Sequence, residues 1–369
     1  IAETVGKDNI AAISFGGAPM DFSFEKNVGA ILHMYLGGQA VGESVADLIS
    51  GEVNPSGKLA ETIPFSEKDT PAWRYFAPPN DDVEYRESIF VGYRYYETFH
   101  VPVKYPFGYG LSYTSFSYSE LNVSEVYSGG KIQIRFKIKN IGKVSGAEIA
   151  QLYICPIESD VIRSHIELKG FQKIYLHPGE EKEVILELDE RSFSVYDVEK
   201  KAFSMLSGKY QICIGASVHD LQLKANMEVV GNSYFRNERE LFPDYFREQP
   251  HGMEISAEQF YQLLGGEPKH DKEKKRGEYT VYDSYQDVVN VSMFGKFVRG
   301  VVHIGLKIIL RGKSERDPAF KMVKMGVEEG NLEGLIATSG GIATPKLIDM
   351  LVYNANKKYL QAFKRLLKK

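Results

Sequence analysis

The sequence has 369 residues, of which 43% are hydrophobic, 12% aromatic and 25% charged. This composition excludes a chain that is mainly disordered or fibrous, and the length predicts two or three domains. With 45 Lys and Arg against 49 Asp and Glu, the formal charge is −4, so we expect no nucleic-acid partner.

Residues 1–72 show the pattern of α/β layering. The apolar run from Asn9 to Phe15 and the run from Val28 to Leu36 predict two buried strands. The segment from Gln39 to Ser50 has one apolar face and is followed by Gly51, which predicts a helix. Because two strands and one helix cannot cover both faces of a parallel sheet, we interpret this segment as the C-terminal part of a larger domain.

Residues 73–115 are rich in aromatic residues, Pro and Gly, and regular periodicity fades there. Tyrosine offers a large contact area and a hydrogen-bonding tip with little rotamer entropy to lose. We therefore predict an ordered interdomain strap and not a flexible linker. Trp73 and Tyr75 are candidates for stacking on a sugar ring, and packing within the strap is an equally supported interpretation.

Residues 116–231 carry the period-two alternation of strands. Along residues 131–139, isoleucine and phenylalanine side chains alternate with lysine, arginine and glutamine. Five similar runs follow, separated by turn clusters, at 148–155, 168–176, 182–189, 209–216 and 221–230. This pattern predicts a β-sandwich of two sheets.

Residues 232–369 predict a mainly helical C-terminal extension. Ser256 and Gln259 have the spacing of a capping box for a short helix that ends at Leu264. Asp317-Pro318 and Thr344-Pro345 each combine a helix cap with proline at the first helical position. We expect the last helix to end with an apolar face that is formed by Leu360, Phe363 and Leu367.

The run from Tyr285 to Leu310 predicts one amphipathic helix and not a membrane span. It is apolar, but Lys296, Arg299, His303 and Lys307 recur at helical spacing and form a basic stripe. Three interpretations stay open for this 285–310 helix: the solvated face of a helical hairpin, docking on an acidic partner, and contact with a membrane surface.

Other candidate sites have simpler interpretations. Gly51 to Lys58 looks like a phosphate loop, but Leu59 stands where magnesium binding needs Ser or Thr. We predict a turn from Asn54 to Gly57, with Gly57 in the left-handed conformation. The run from Asp81 to Glu87 contains carboxylates of the kind that glycosidases use in pairs, and an acidic surface loop is the favoured interpretation. His33 lies in an apolar run and predicts a core or interface histidine.

Cys155 and Cys213 allow at most one disulfide and leave the compartment open, with a bacterial cytoplasmic location as the favoured prediction. The eight histidines lack the spacing of a zinc site, and we expect neither a metal nor another cofactor. The sequence opens on Ile1 without Met, so we expect it to begin inside a longer gene product.

Several motifs in order resemble glycoside hydrolase family 3. Gly37-Gly38-Gln39 and the run from Asn54 to Leu59 are similar to the end of the family's α/β sandwich domain. Residues 83–96 and 106–113 are similar to the segment that leads into the family's fibronectin type III-like domain. The runs 168–171 and 176–180 are similar to that domain itself. The fold class that this implies is α/β plus all-β, followed by the helical extension.

The resemblance implies part of a retaining β-glucosidase, or of a relative such as a β-xylosidase, that hydrolyses terminal β-D-glucosyl or related residues. In this family the nucleophilic Asp lies on a (β/α)8 barrel and the acid/base Glu lies earlier in the α/β sandwich. No residue of this sequence matches either position, so Glu43, Glu84 and Glu87 inherit no catalytic role and we expect the chain alone to be inactive.

The resemblance also implies the partners. Carbohydrate would bind through the complete enzyme, and the barrel together with the rest of the α/β sandwich would complete the fold. Whether the barrel precedes or follows this segment stays open. The alternative function is a non-catalytic accessory or binding chain that acts through the β-sandwich or the basic amphipathic helix.

Overall fold

The computed structural model describes residues 1–76, 83–231, 237–247, 252–267, 274–310, 314 and 316–367. The chain divides into two compact units, residues 1–268 and 269–369. The predicted boundary after residue 231 differs from this division, because residues 237–247 and 252–267 pack within the first unit. The predicted extension therefore combines residues from two units.

The first unit begins with a small α/β module. Its sheet consists of two parallel strands, and the helix after them ends at Gly51, which has a φ of 81° in the left-handed region. Both strands and the helix occur where the sequence predicts them, but the predicted burial of the strands is not observed, since Ser14 is the one buried residue of the two. The elements are α1 (Ala2–Val5), β1 (Ala11–Ser14), β2 (Ala30–His33) and α2 (Val41–Ser50).

The strap is ordered over its described residues and contains one short helix that periodicity did not predict. This helix presents Tyr93, Tyr95 and Tyr96 to the protein interior, where all three side chains are buried. A short antiparallel pair joins the end of the α/β module to the strap. The elements are β3 (Ile63–Pro64), α3 (Tyr93–Thr98) and β4 (Val103–Tyr105).

The β-sandwich follows, and all six predicted strand runs are present. One sheet has three strands in the order β10-β7-β5, and the other has five in the order β6-β14-β13-β8-β9. A separate hairpin pairs β11 with β12. The strands are β5 (Phe116–Asn122), β6 (Val126–Tyr127), β7 (Ile132–Asn140), β8 (Gly146–Pro156), β9 (Glu167–Leu176), β10 (Glu181–Leu188), β11 (Ser194–Asp197), β12 (Ala202–Met205), β13 (Gly208–Gly215) and β14 (Leu221–Val229).

The alternation along β7 produces the sandwich core. Ile134, Phe136 and Ile138 are fully buried, and the lysine and arginine side chains between them point away from this core. Leu152 of β8 and Ile212 of β13 belong to the same apolar cluster from the opposing sheet. The thiols of Cys155 and Cys213 are free, with their sulfur atoms 3.8 Å apart on these neighbouring strands.

The chain after the sandwich returns to the strap. Two short helices, α4 (Glu238–Leu241) and α5 (Ala257–Leu264), flank buried apolar residues of this returning segment. We call the apolar cluster that the returning segment forms with the strap the docking cluster. Its buried members are Phe90, Tyr95, Tyr96, Phe99, Phe242, Tyr245, Met253, Ile255 and Phe260.

The predicted capping box at α5 is only half present. The Ser256 hydroxyl accepts from the Gln259 amide at 3.4 Å, as predicted. The Gln259 side chain does not return to Ser256, because its Oε1 accepts from the Asp244 amide at 2.9 Å. The Ser256 amide donates to the Asp244 carboxylate instead. A tertiary contact has therefore replaced one local hydrogen bond.

The second unit is helical, and two predicted helices are each divided in two. The run from Tyr285 to Leu310 breaks at Ser292, whose hydroxyl accepts from Gly295 and caps the second helix. A Cβ at Gly295 would collide with the Val289 carbonyl, so glycine permits the tight turn. The helices are α6 (Tyr285–Asn290), α7 (Met293–Ile309), α8 (Pro318–Glu328), α9 (Leu332–Thr338), α10 (Pro345–Ala355) and α11 (Tyr359–Leu367).

The predicted caps at Asp317 and Thr344 are confirmed, since both side chains accept from amides in the first turns of α8 and α10. The second division falls near Asn356, where α10 ends, so the apolar face that ends the chain lies on α11 alone. Among the described residues, no helix has the length and apolar character needed to cross a bilayer.

Candidate functional site

A surface cleft of about 800 Å³ lies in the first unit, where the start of the strap meets the returning segment. Its walls combine one indole ring with charged side chains of both signs, a combination that can stack on a sugar ring and hydrogen-bond its hydroxyls. The lining residues are Trp73, Arg74, Tyr75, Arg86, Asp244, Arg247, Glu254, Ile255 and Ser256.

Trp73 and Arg74 form one wall of the cleft. The Trp73 side chain is 43% exposed, so an apolar ring face is accessible there. Arg74 forms an ion pair with Glu254 across the cleft, with 3.1 Å between Nη1 and Oε2 and both side chains partly exposed. This geometry places hydrogen-bonding groups near an accessible ring, which is the arrangement that a sugar-binding surface needs.

Tyr75, the second predicted sugar contact, has a structural role. Its hydroxyl donates to the Ile255 carbonyl at 3.1 Å and accepts from the Ile255 amide at 2.9 Å. The guanidinium of Arg86 lies 4.7 Å from the centroid of its ring. Because these contacts occupy one ring face and the hydroxyl, Tyr75 fixes the wall of the cleft, and Trp73 is the stronger of the two candidates.

The carboxylates of the strap hold the segments together. Arg86 donates from Nε to Glu84 Oε2 at 2.6 Å, and the Tyr261 hydroxyl donates to Glu84 Oε1 at the same distance. The hydrogen bond to Glu84 raises the pKa of Tyr261. Glu87 is 4% exposed, and its Oε2 has no hydrogen-bond partner among the described residues. Glu84 thus links the strap to α5.

The other predicted carboxylates lie elsewhere. Glu43 is exposed in the first turn of α2. Asp81 and Asp82 fall outside the described residues. Among the described predicted carboxylates, Glu43, Glu84 and Glu87, none lines the cleft.

The segment from Asn54 to Lys58, which resembles a phosphate loop in sequence, is a junction. The Asn54 amide nitrogen donates to the Ser145 carbonyl at 3.1 Å, and its oxygen accepts from Ser112 and from the Tyr113 amide. Lys58 forms an ion pair with Glu148 of β8 at 2.9 Å, and both side chains are nearly buried. The lysine charge is therefore already neutralised. The predicted turn is wrong, because the segment forms no hydrogen-bonded turn and Gly57 does not adopt the left-handed conformation. The contacts of Asn54 and Lys58 instead tie the α/β module to the sandwich.

His33 is confirmed as a packed histidine, although its buried Nε2 has no hydrogen-bond partner among the described residues. Its Nδ1 is 2.9 Å from the Ser14 hydroxyl, and its ring packs edge-on against Phe22 and close to Tyr35. The basic stripe of the 285–310 segment lies on α7 in the second unit, where Arg299 donates to Asn290 at 2.8 Å. His33 and the stripe are both remote in sequence from the residues that line the cleft.

Sequence reasoning missed half of the cleft. Asp244, Arg247, Glu254 and Ser256 lie about 170 or more residues after Trp73 and belong to the returning segment. Their charges are ordinary for a polar loop, and no spacing links them to the strap. The sequence offers one clue to this half of the cleft. The aromatic side chains at positions 242–246 indicate that the segment packs against another apolar surface.

Comparison with protein families matches two parts of the first unit. Residues 2–113 match the glycosyl hydrolase family 3 C-terminal domain, and residues 148–218 match a fibronectin type III-like domain. The first match covers the α/β module and the strap, and the second covers strands β8 to β13. The predicted fold class is confirmed by these matches.

Individual relatives agree with the family matches. A thermostable beta-glucosidase B of Acetivibrio thermocellus is 44% identical over 225 residues, which are 60% of this chain and 30% of that protein. An exo-alpha-(1->6)-L-arabinopyranosidase of Bifidobacterium breve is 36% identical over 223 residues, 60% of this chain and 29% of that protein.

Comparison with a crystal structure also gives a match over part of each chain. The GH3 beta-glucosidase of Bifidobacterium adolescentis has a TM-score of 0.59 and 36% identity, over 62% of this chain and 34% of that one. The chain thus spans about a third of the length of the relatives that it matches.

Proposed function

This chain belongs to glycoside hydrolase family 3, whose C-terminal domain and fibronectin type III-like domain it carries, and from that premise we propose that it is the C-terminal portion of a retaining β-glycosidase. The complete enzyme would hydrolyse terminal β-D-glucosyl or related residues. Relatives of similar identity are named for different sugars, so the proposal covers the β-glucosyl class and its neighbours.

The exposed apolar surface of the α/β module is the observation that carries this proposal. Phe15, Leu36 and Ile49 are each more than half exposed, although they flank the strands and helix that form the module. Parallel sheets are normally covered on both faces. Further strands and helices of the same domain would bury this surface, and the Asn54 and Lys58 junction would hold the sandwich beside it.

The proposal assigns catalysis to partner segments. A (β/α)8 barrel would supply the nucleophile, and the remainder of the α/β sandwich would supply the acid/base, while this chain positions the domains. We also propose a bacterial cytoplasmic location for the complete enzyme. Sequencing the coding region on both sides of residues 1–369 tests whether a barrel is encoded with them.

The 369-residue chain alone is expected to show no hydrolysis of 4-nitrophenyl β-D-glucoside above the buffer rate. The reason is that two carboxyl groups must face each other across the glycosidic bond, about 5 Å apart in a retaining enzyme. The polypeptide from the complete coding region should release nitrophenolate under the same conditions. Absorbance of the product over several hours measures both rates.

If the chain alone hydrolyses the substrate and Glu84→Gln or Glu87→Gln abolishes this turnover, the proposal is contradicted. Glu258→Gln is the matched control, because Glu258 is an exposed carboxylate on α5. Unchanged turnover in all three variants would point to a contaminating glycosidase and not to this chain.

We further propose that Trp73 contacts sugar in the cleft. Trp73 is the one tryptophan of the chain, so its intrinsic fluorescence reports directly on this wall. Cellobiose or cellotriose should change the emission of the unmodified protein, and Trp73→Ala should weaken binding about ten-fold in calorimetry. Phe76→Ala is the control, because Phe76 is exposed nearby but does not line the cleft. Equal affinity in Trp73→Ala would remove the residue from the proposal.

A further inference from the structure

Helix α7 exposes a continuous apolar stripe. Its five members are 54% to 90% exposed, although their side chains are among the most apolar in the second unit. At 100° per residue they lie within an arc of about 80° along the whole 17-residue helix. The stripe consists of Met293, Phe297, Val301, Ile304 and Ile308.

The adjoining side of α7, centred about 120° from the stripe, supplies the core of the second unit. Val298 is buried with Leu332 and Ile348 in one apolar cluster, and Phe294 and Val302 pack against it. The stripe is therefore additional to the surface that folds the unit. A helix that is already anchored by one apolar face has no structural need for a second one.

A basic edge runs along the stripe. Lys296, Arg299, His303 and Lys307 occupy the neighbouring arc of the helix, and α7 contains neither Asp nor Glu. The long side chains of lysine and arginine at this edge can reach past the apolar residues toward a negatively charged surface. One negatively charged surface can therefore contact the apolar stripe and the basic edge at the same time.

The charge of the second unit extends this pattern. Residues 269–369 contain 20 Lys and Arg against 11 Asp and Glu, a formal charge of +9. Residues 1–268 contain 25 against 38, a formal charge of −13. The cationic character thus belongs to the helical unit alone, and the overall charge of −4 hides it.

We propose that α7 binds the surface of a membrane that contains anionic lipid. The apolar stripe inserts at the boundary between headgroups and acyl chains, and the basic edge pairs with lipid phosphates and carboxylates. The helix lies in the plane of the surface and does not span it. This inference stands independently of the proposed glycosidase activity, since none of its residues belongs to the family matches.

A second exposed apolar face, on helix α11, favours a lipid surface over a single protein groove as the binding partner. Leu360, Phe363 and Leu367 are each more than half exposed, and exposed lysines lie on and beside this helix. Helix α10 contacts both α7 and α11. One protein partner would need a separate groove for each helix, whereas a lipid surface accepts several amphipathic helices without shape complementarity.

Co-sedimentation of the full 369-residue chain with vesicles tests the inference. The chain should pellet with vesicles of phosphatidylcholine mixed with phosphatidylserine, and much less with phosphatidylcholine alone. Added sodium chloride should weaken the binding, because screening removes the contribution of the basic edge. Lys296→Gln should reduce the partition coefficient about five-fold, the expected effect of one lysine at an anionic surface.

Phe297→Glu with Ile304→Glu should reduce the partition coefficient about a hundred-fold or more, because two inserting side chains are lost. The matched control is Phe171→Glu with Val198→Glu, which makes the same charge change at two exposed positions of the first unit. All four positions are exposed, so circular dichroism should show that both double variants keep their fold.

Three results would overturn the inference. The first is no binding to the anionic vesicles. The second is an equal loss of binding in both double variants, which would make total charge the sole cause. The third is self-association of the unmodified chain, without vesicle binding, that Phe297→Glu with Ile304→Glu abolishes. This result would show that the stripe binds a second copy of the chain.

Discussion

Phe242→Ala is expected to destabilise the first unit by about 3 to 5 kcal/mol, the range for truncating a buried phenylalanine. Phe242 is 2% exposed in the docking cluster and lies between α4 and the short turn that carries Tyr245. Truncation leaves a cavity among aromatic side chains that pack from two segments distant in sequence. The returning segment, residues 237–264, should then separate from the strap before the sandwich unfolds.

Urea unfolding measures this loss of stability, and limited proteolysis followed by mass spectrometry locates it. Cleavage should appear first within residues 237–264 of the variant. Leu241→Ala is the matched control, because the neighbouring Leu241 is 39% exposed and its truncation should cost less than about 1 kcal/mol. Equal stability of the two variants would show that the returning segment does not depend on this cluster.

Glu167→Gln is expected to destabilise the β-sandwich by about 3 kcal/mol at neutral pH, since it removes one partner of a buried ion pair. Arg163 donates to Glu167 Oε1 from Nε at 3.0 Å and from Nη2 at 2.8 Å, and it also donates to the Tyr210 hydroxyl. The Arg163 side chain is 2% exposed. The variant therefore leaves a guanidinium charge inside the protein without its carboxylate.

The same pair predicts a pH dependence. Burial alone would raise the pKa of Glu167, but the charges of Arg163 and Lys169 outweigh it and hold the pKa below its ordinary value. A carboxyl group with a lowered pKa stabilises the fold above its unfolded-state pKa of about 4.3, and this contribution is lost as the pH falls through the folded-state value. The unmodified protein should therefore lose stability with acid more steeply than Glu167→Gln does.

Thermal unfolding between neutral and acidic pH measures both effects. Glu183→Gln is the control, because its ion pair with Arg135 is about half exposed and should contribute less than about 1 kcal/mol. If Glu183→Gln matched Glu167→Gln in stability and in pH dependence, burial of the Arg163 pair would not be the cause.

Local sequence patterns were sufficient to predict an element wherever one periodicity dominates its residues. The alternation at residues 131–139 predicted β7 and the face that it buries, and the apolar face before Gly51 predicted α2 and its end. The proline caps at Asp317 and Thr344 were equally local. These predictions hold because side-chain period and capping chemistry depend on near neighbours in the chain.

Local capping and tertiary contacts decided the exceptions. The 285–310 run reads as one helix, but Ser292 provides a cap and Gly295 allows α7 to start against Val289. The capping box at α5 lost its second bond because Gln259 found a partner in Asp244. In both cases a competing contact that no periodicity encodes changed the local outcome.

Residue patterns alone were enough to predict the order of the α/β module, the strap and the sandwich, the resemblance to the family, and the basic residues of α7. Long-range packing was needed to show that the described residues after 237 return to the strap and that Trp73 faces a cleft while Tyr75 is tied to Ile255. It was also needed to show that the apolar stripe of α7 is exposed. The physical reason is that burial depends on which distant segments meet. Spacing along the chain shows that a helix has two apolar faces, but not which face its neighbours cover.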